Sequence, residues 1–161
     1  MNEKQLAAEK SIKFIKNGMI LGLGTGSTVF FLVNKLAEFV KQGLNITCVS
    51  TSNQTSELAK SLGIKISNLN EVDQIDLTID GADEVDYKLN GIKGGGGALL
   101  YEKIVAKASN KVIWIVDSSK FVKKLGKFPL PVEIISFGSK QLLKRFDELG
   151  FKPQIRKNGN D

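Results

Sequence analysis

A lysine and a glutamate bracket the least ordinary stretch of this chain. Lys93 opens the run Gly94-Gly95-Gly96-Gly97-Ala98, and Glu102 follows on the next segment. Consecutive glycines are entropically expensive and make a poor core element, but they let backbone come close to a ligand. Lys93 supplies a cation suited to stabilising a developing oxyanion. In a helix from about 98 to 108, Glu102 falls three residues after Leu99, which turns it toward a cleft. Composition alone favours the other reading, a surface glutamate. The chain contains no histidine. A His-based triad and a His-rich zinc site are therefore excluded. A base working near neutral pH must be a carboxylate or, less readily, a lysine.

Three further segments carry candidate chemistry. Gly22-Leu23-Gly24-Thr25-Gly26-Ser27-Thr28 joins an apolar run to a helical pattern. Glycines in such a loop expose backbone N–H groups, and the helix N-terminus adds the positive end of its dipole. This is a phosphate-binding arrangement, although it lacks the Walker A ending and the full dinucleotide spacing. A structural strand-to-helix turn is the alternative. The second segment, Asp76 to Asp86, holds five acidic residues, Asp76, Asp80, Asp83, Glu84 and Asp86. Carboxylates at the end of a buried strand are costly without a partner or a task. Gly81 and Ala82 keep that loop small enough for a ligand to approach. Sugar-hydroxyl binding, a magnesium site and a solvated turn are the readings open there. Third, Lys120 in Asp117-Ser118-Ser119-Lys120 follows another apolar run, which suits a phosphate contact or a plain surface lysine.

Bulk properties narrow the class. The chain has 161 residues, 42% of them hydrophobic and 25% charged, which indicates a soluble globular protein. Lys and Arg number 23 against 17 Asp and Glu, a net charge of +6 that is spread without a basic run. That field suits a small anionic substrate, and no nucleic-acid partner is expected. Cys48 is the only cysteine, so no intrachain disulfide forms, and its apolar setting suggests a buried, inert thiol. No signal peptide is apparent. No apolar stretch approaches the roughly 20 residues that span a bilayer. A cytoplasmic location with no membrane partner is expected.

Apolar periodicity supplies the elements that must position these residues. Helices are expected at 4–16, from Thr28 through Phe39, at 52–62 and at about 98–108. Strands are expected at 19–24, 45–50, 64–66, 75–79 and 112–116, with a polar loop at 80–86. In the 98–108 helix, Leu99, Ile104 and Val105 are expected to face inward. Strands alternating with helices indicate an α/β fold, an open and mostly parallel Rossmann-like sheet flanked by helices. Ligand loops then lie at the C-terminal strand ends. Residues 1–130 form this catalytic domain. Beyond Pro129 and Pro131, a strand at 132–136, a helix at 138–149 and a strand beginning at 151–156 read as the start of a smaller α+β domain, 131–161. A short appendage on the main sheet is the alternative.

Together these motifs resemble the ribose-5-phosphate isomerase A family. The resemblance rests on Gly22–Thr28, Asp80-Gly81-Ala82-Asp83-Glu84, Lys93–Ala98 with Glu102-Lys103-Ile104, Lys120 in its motif, and Leu125–Glu133. It extends over nearly the whole chain, and four motifs in order are far more specific than any one glycine loop. It implies interconversion of D-ribose 5-phosphate and D-ribulose 5-phosphate in the non-oxidative pentose phosphate pathway, with no cofactor and no metal. It implies Glu102 as the base, with Asp80 aiding ring opening. Thr25, Gly26, Ser27 and Thr28 would bind substrate, chiefly its phosphate. Asp80, Gly81, Ala82 and Asp83 would hold sugar hydroxyls, Lys93 with Gly94, Gly95 and Gly96 would steady the enediolate, and Lys120 would complete the site. It further implies a homodimer or homotetramer for the full-length protein, and a second domain continuing past residue 161. Two other readings are an amino-sugar phosphate isomerase or deaminase, and a non-catalytic sugar-phosphate sensor. The retained Glu102 and Lys93 oppose the sensor.

Overall fold

The structure, a computed structural model, describes residues 2–156. Its centre is a parallel sheet of β1 (Ile20–Leu23), β2 (Thr47–Ser50), β3 (Leu77–Asp80) and β6 (Val112–Trp114) in the order β2-β1-β3-β6. Leu21 pairs with Cys48 on one side and Leu77 on the other, and Ile79 pairs with Ile113. Successive strand side chains point to opposite faces. Leu21, Leu23, Cys48, Leu77 and Ile79 therefore enter one large core with Val29, Leu32, Val33 and Leu36 of α2 (Ser27–Lys41). Ala8 of α1 (Glu3–Ser11) and Ala59 of α3 (Asn53–Ser61) complete it. Each fully buried leucine contributes about 1.5–3 kcal/mol over its exposed state. The alternate residues face α4 (Leu99–Lys107), where Val49, Ile75 and Val105 form a smaller core. Helices thus cover both sheet faces.

Local chemistry starts the helices where the chain needs them. Asn2 caps α1 by accepting the Lys4 amide, and Ser52 caps α3 by accepting the Thr55 amide. Gly26 precedes α2 with φ +113°, a conformation that favours glycine. A second, two-stranded sheet pairs β4 (Glu84–Val85) antiparallel with β5 (Gly91–Ile92). This hairpin and α5 (Ser139–Glu148) make the smaller α+β part beside the Rossmann-like sheet.

Several expected elements differ. The first helix ends at Ser11 and continues as a 3-10 turn over Ile12–Phe14. The strand expected at 64–66 is reduced to one bridge, Ile66 with Cys48. Ile75 likewise makes only a bridge, to Ser109, and the strand proper begins at Leu77. The polar loop at 80–86 contains β4, with Glu84 and Val85 both buried. Ile104 faces solvent at 46% exposure, because the helix turns Glu102 and Val105 inward instead. Residues 132–136 and 151–156 form no strand, since neither has a neighbour to pair with among the described residues. Residues 157–161 of the expected second domain lie outside the described residues.

Candidate active site

The C-terminal ends of β1 and β3 bring two loops together. Asp80, the last residue of β3, is buried, and its Oδ1 accepts the Thr25 amide at 3.1 Å and the Gly81 amide at 2.7 Å. Gly24 makes this possible, since a Cβ there would lie 1.8 Å from Asp80 Oδ1. The other oxygen, Oδ2, meets Lys93 Nζ at 2.8 Å. Lys93 also donates to the Gly81 carbonyl. Its remaining neighbour is Glu102 Oε2, 3.3 Å away.

Glu102 is the unusual member of this cluster. Only 4% of the residue is exposed, so it is not the surface glutamate that composition favours. Its Oε2 is buried without a hydrogen-bond partner; the Lys93 ammonium is close enough for attraction but not aligned as a donor. Burial pushes the carboxyl pKa up, the nearby Asp80 charge adds to the rise, and Lys93 pulls the other way. A buried carboxylate with one free lone-pair face has the capacity to accept a proton.

The glycine run closes the other side. Asp83 Oδ2 accepts the Gly95 amide at 2.8 Å, which pins the loop. Gly94 has φ +105° and is buried, with Leu99 and Pro131 beside it. A Cβ on exposed Gly96 would come 3.7 Å from Thr25 Cγ2, so the two glycine loops face each other. Thr25 is fixed by a 2.7 Å contact between its hydroxyl and that of Thr51. Gly26 and Ser27 are open to solvent at the start of α2, whereas Thr28 is buried, and Ala82 is half-buried beside Gly81.

Lys120 stands apart from the Asp80–Lys93–Glu102 cluster. It ends the 3-10 turn Ser118–Lys120 and lines a polar cleft of about 440 Å³ with Asn2, Glu3, Lys4, Asp117 and Ser119. Glu3 holds that turn by accepting the amide and hydroxyl of Ser118 at 2.9 and 2.7 Å, bonds that keep its carboxyl below the usual range. The hydrogen bond from Ser119, with smaller help from Lys4 and Lys120, does the same for Asp117.

Three residues were not anticipated as part of this region. Lys4 Nζ donates to Ser27 Oγ at 2.9 Å, placing a cation beside the candidate phosphate loop. Thr51 buttresses Thr25. Glu84 accepts the Gly126 and Phe128 amides at 2.7 and 2.6 Å. Lys4 looks like any charge on an amphipathic helix, so nothing in its local pattern singles it out. Glu84 was visible as one acid among five, but not as one of the two that are buried, the other being Asp80.

These features fit an α/β enzyme acting on a small anionic substrate: a glycine loop at a helix start, and beyond it a buried carboxylate beside a lysine. Residues 47–161 match the family described as Ribose 5-phosphate isomerase A (phosphoriboisomerase A). The chain is 59% identical over 158 residues to Ribose-5-phosphate isomerase A of Bifidobacterium adolescentis, covering 98% of this chain and 68% of that protein. It matches the solved ribose 5-phosphate isomerase from Plasmodium falciparum with a TM-score of 0.92 and 38% identity, over 99% of this chain and 72% of the other. A solved D-ribose-5-phosphate isomerase in complex with phospho-erythronic acid matches with a TM-score of 0.89 and 41% identity, over 93% and 68%.

The chain belongs to the ribose 5-phosphate isomerase A family. Its reaction is the reversible aldose–ketose isomerisation of D-ribose 5-phosphate and D-ribulose 5-phosphate, a step of the non-oxidative pentose phosphate pathway that proceeds by proton transfer through an enediolate.

Proposed function

We propose that Glu102 is the base of this isomerisation and that Lys93 and Asp80 act with it. The observation that carries the assignment is the buried Glu102 Oε2, free of hydrogen bonds yet 3.3 Å from a lysine. The substrate's C2 proton is weakly acidic, and a positioned base contributes roughly 10²–10⁴-fold to its removal. A carboxyl whose pKa is raised toward the working pH accepts that proton more readily. Lys93 then faces the oxygen that gains charge, where a pre-placed cation needs no reorganisation. Asp80, with one oxygen fixed by two amides, is placed to take the ring hydroxyl proton during opening. Asp83, Gly81 and Ala82 border the sugar hydroxyls, and Gly94, Gly95 and Gly96 border the enediolate.

The phosphate end is assigned to Thr25, Gly26, Ser27 and Thr28 at the α2 N-terminus, with Lys120 as a more distant cation. The α2 dipole and its first amides favour an anion there, and the Lys4–Ser27 contact supports the same reading. Phosphate binding far from the reacting carbons holds the opened sugar in its reacting pose. The chemistry moves protons and leaves no electrons over, so no redox cofactor is invoked. Among the described residues, no group of three or more Asp, Glu, Cys or His side chains is disposed to hold a metal. Prolonged EDTA treatment should leave turnover unchanged; loss restored by magnesium would place an ion in the 80–86 loop.

The organisation of the protein is proposed on the same footing. Residues 1–130 form the catalytic domain and 131–161 begin a second one, a division supported by the absence of buried residues in α5. A homodimer or homotetramer in the cytoplasm fits the reading. Among the described residues, no helix is long and apolar enough to cross a membrane.

Glu102→Gln tests the central assignment, because it keeps the shape and removes the basic oxygen. Turnover should fall roughly 10²–10⁴-fold, and exchange of the substrate's C2 proton with deuterated water should slow in parallel. Near-normal turnover and exchange in that variant would sink the assignment.

A further inference from the structure

Asp83 and Glu84 are adjacent carboxylates that hold different parts of the site. Asp83 pins the glycine loop through the Gly95 amide, as described. Glu84, 4% exposed, sends one oxygen to the Gly126 amide and the other to the Phe128 amide. Val85 extends the attachment, since its carbonyl accepts the Val122 amide at 2.9 Å. The segment after Lys120 is therefore strapped to β4 at two places.

The strap presents one side chain to both halves of the site. A Cβ on Gly95 would approach Phe128 Cζ to 2.7 Å, so the glycine loop packs directly on that ring. Lys120 Nζ lies over the same ring, 5.9 Å from its centroid. An ammonium at this distance is attracted to the ring face. Phe128 thus touches the loop beside the reacting carbons and the lysine assigned to the substrate's anionic end.

We propose that Glu84 is a positioning residue for substrate binding: by holding the Gly126 and Phe128 amides, it sets the Phe128 ring as the platform that aims Lys120 and backs Gly95. The proposal rests on the reading of Lys120 as a substrate contact. A carboxylate is needed because both amides require an acceptor. A glutamine offers one acceptor oxygen and turns an NH2 group toward the second N–H. A merely structural clamp would lower the folded fraction and leave the KM of the folded enzyme unchanged. An aiming clamp raises KM.

Steady-state kinetics on the full chain with ribose 5-phosphate decide the matter, using Glu84→Gln, Phe128→Leu, Phe128→Tyr and Lys120→Met. Phe128→Leu keeps apolar bulk and removes the ring, so it reads the proposal even if Glu84→Gln folds poorly. Losing the cation–ring contact corresponds to a roughly two- to thirtyfold rise in KM. That rise is expected for Glu84→Gln and Phe128→Leu, with kcat changed less than KM, while Phe128→Tyr stays near the parent. Lys120→Met should raise KM about tenfold or more. Adding Glu84→Gln to Lys120→Met should then change KM little, because the lysine being aimed is gone. If Lys120→Met raises KM and Phe128→Leu does not, the platform is overturned while the Lys120 reading stands. An unchanged KM in Lys120→Met removes that reading and the proposal with it.

Discussion

The sheet's C-terminal edge and the stretch from 131 to 156 are built on opposite terms. At the sheet edge, charged groups are buried and apolar groups are hidden beneath them. Asp80, Glu84 and Glu102 are each under 5% exposed, while Leu21, Leu23 and Ile79 are fully buried. Along 131–156 the apolar groups are outside: Ile135 is 77% exposed, Phe137 91% and Phe151 70%. Helix α5 is strongly two-sided yet buries no residue. One tie between the two regions is the Leu100 amide donating to the Glu133 carboxylate at 2.6 Å. The comparison teaches that the buried carboxylates are held by the sheet edge, while the later stretch reaches the site through Pro131 against Gly94 and Arg156 against Gly97. Apolar patterning alone does not make a core; it needs a second surface to cover it.

The largest expected contrast is in turnover. The Glu102→Gln loss should exceed by at least tenfold anything seen in Phe137→Ser, whose turnover should stay within about twofold of the parent, consistent with an exposed site far from packing. A comparable loss in Phe137→Ser, read in the same assay, would break the division between the regions.

Stability gives the next contrast. Leu21→Ala removes side-chain volume from a closed core and should destabilise by about 2–5 kcal/mol in urea unfolding. Phe137→Ala should change stability by no more than about 0.5 kcal/mol. Equal shifts in the two variants would show that the second region is covered by something that contributes to folding.

The smallest effect concerns Glu102 and pH. Its folded pKa is raised above the unfolded value by burial and by Asp80. The folded state therefore holds the proton more tightly. That contribution to stability is present in acid and is lost as pH rises through the folded pKa. Glu102→Gln does not titrate, so its thermal midpoint should gain on the parent as pH rises from 4 toward 8. A gap that is constant with pH would mean Glu102 is not desolvated as described. The same ionisation should make kcat/KM rise with pH on the acid side, with an inflection above the ordinary glutamate value.

Much of this was legible in the chain. All four sheet strands could be placed from short apolar runs within a residue or two, because buried parallel strands carry apolar side chains on both faces. The two glycine loops, Asp80, Lys93 and Glu102 stood out because glycine runs and clustered charge are poor core material. The inward turn of Glu102 followed from its spacing to Leu99, although Ile104 did not face inward with it. Less could be seen where geometry depends on a distant partner. Ile64–Ile66 and Val132–Ser136 have strand-like composition, but β-propensity expresses itself only where another strand offers hydrogen bonds. Strands β4 and β5 are two residues each, too short to show a period. Lys4 meets Ser27 only after α1 and α2 pack, and Glu84 finds its amides some forty residues later in the chain.

The strand order has a kinetic consequence. The central strand β1 pairs with β3 rather than with a near neighbour alone, and the Asp76 carboxylate accepts the Ile20 amide across a separation of 56 residues. Closing so long a loop is an entropic expense met before the contacts return it, and topologies rich in such pairings fold slowly. Asp80 sits at the end of the strand that arrives by this route. Glu102, Lys93 and the Gly24–Thr28 loop therefore come together only once this long-range pairing has formed.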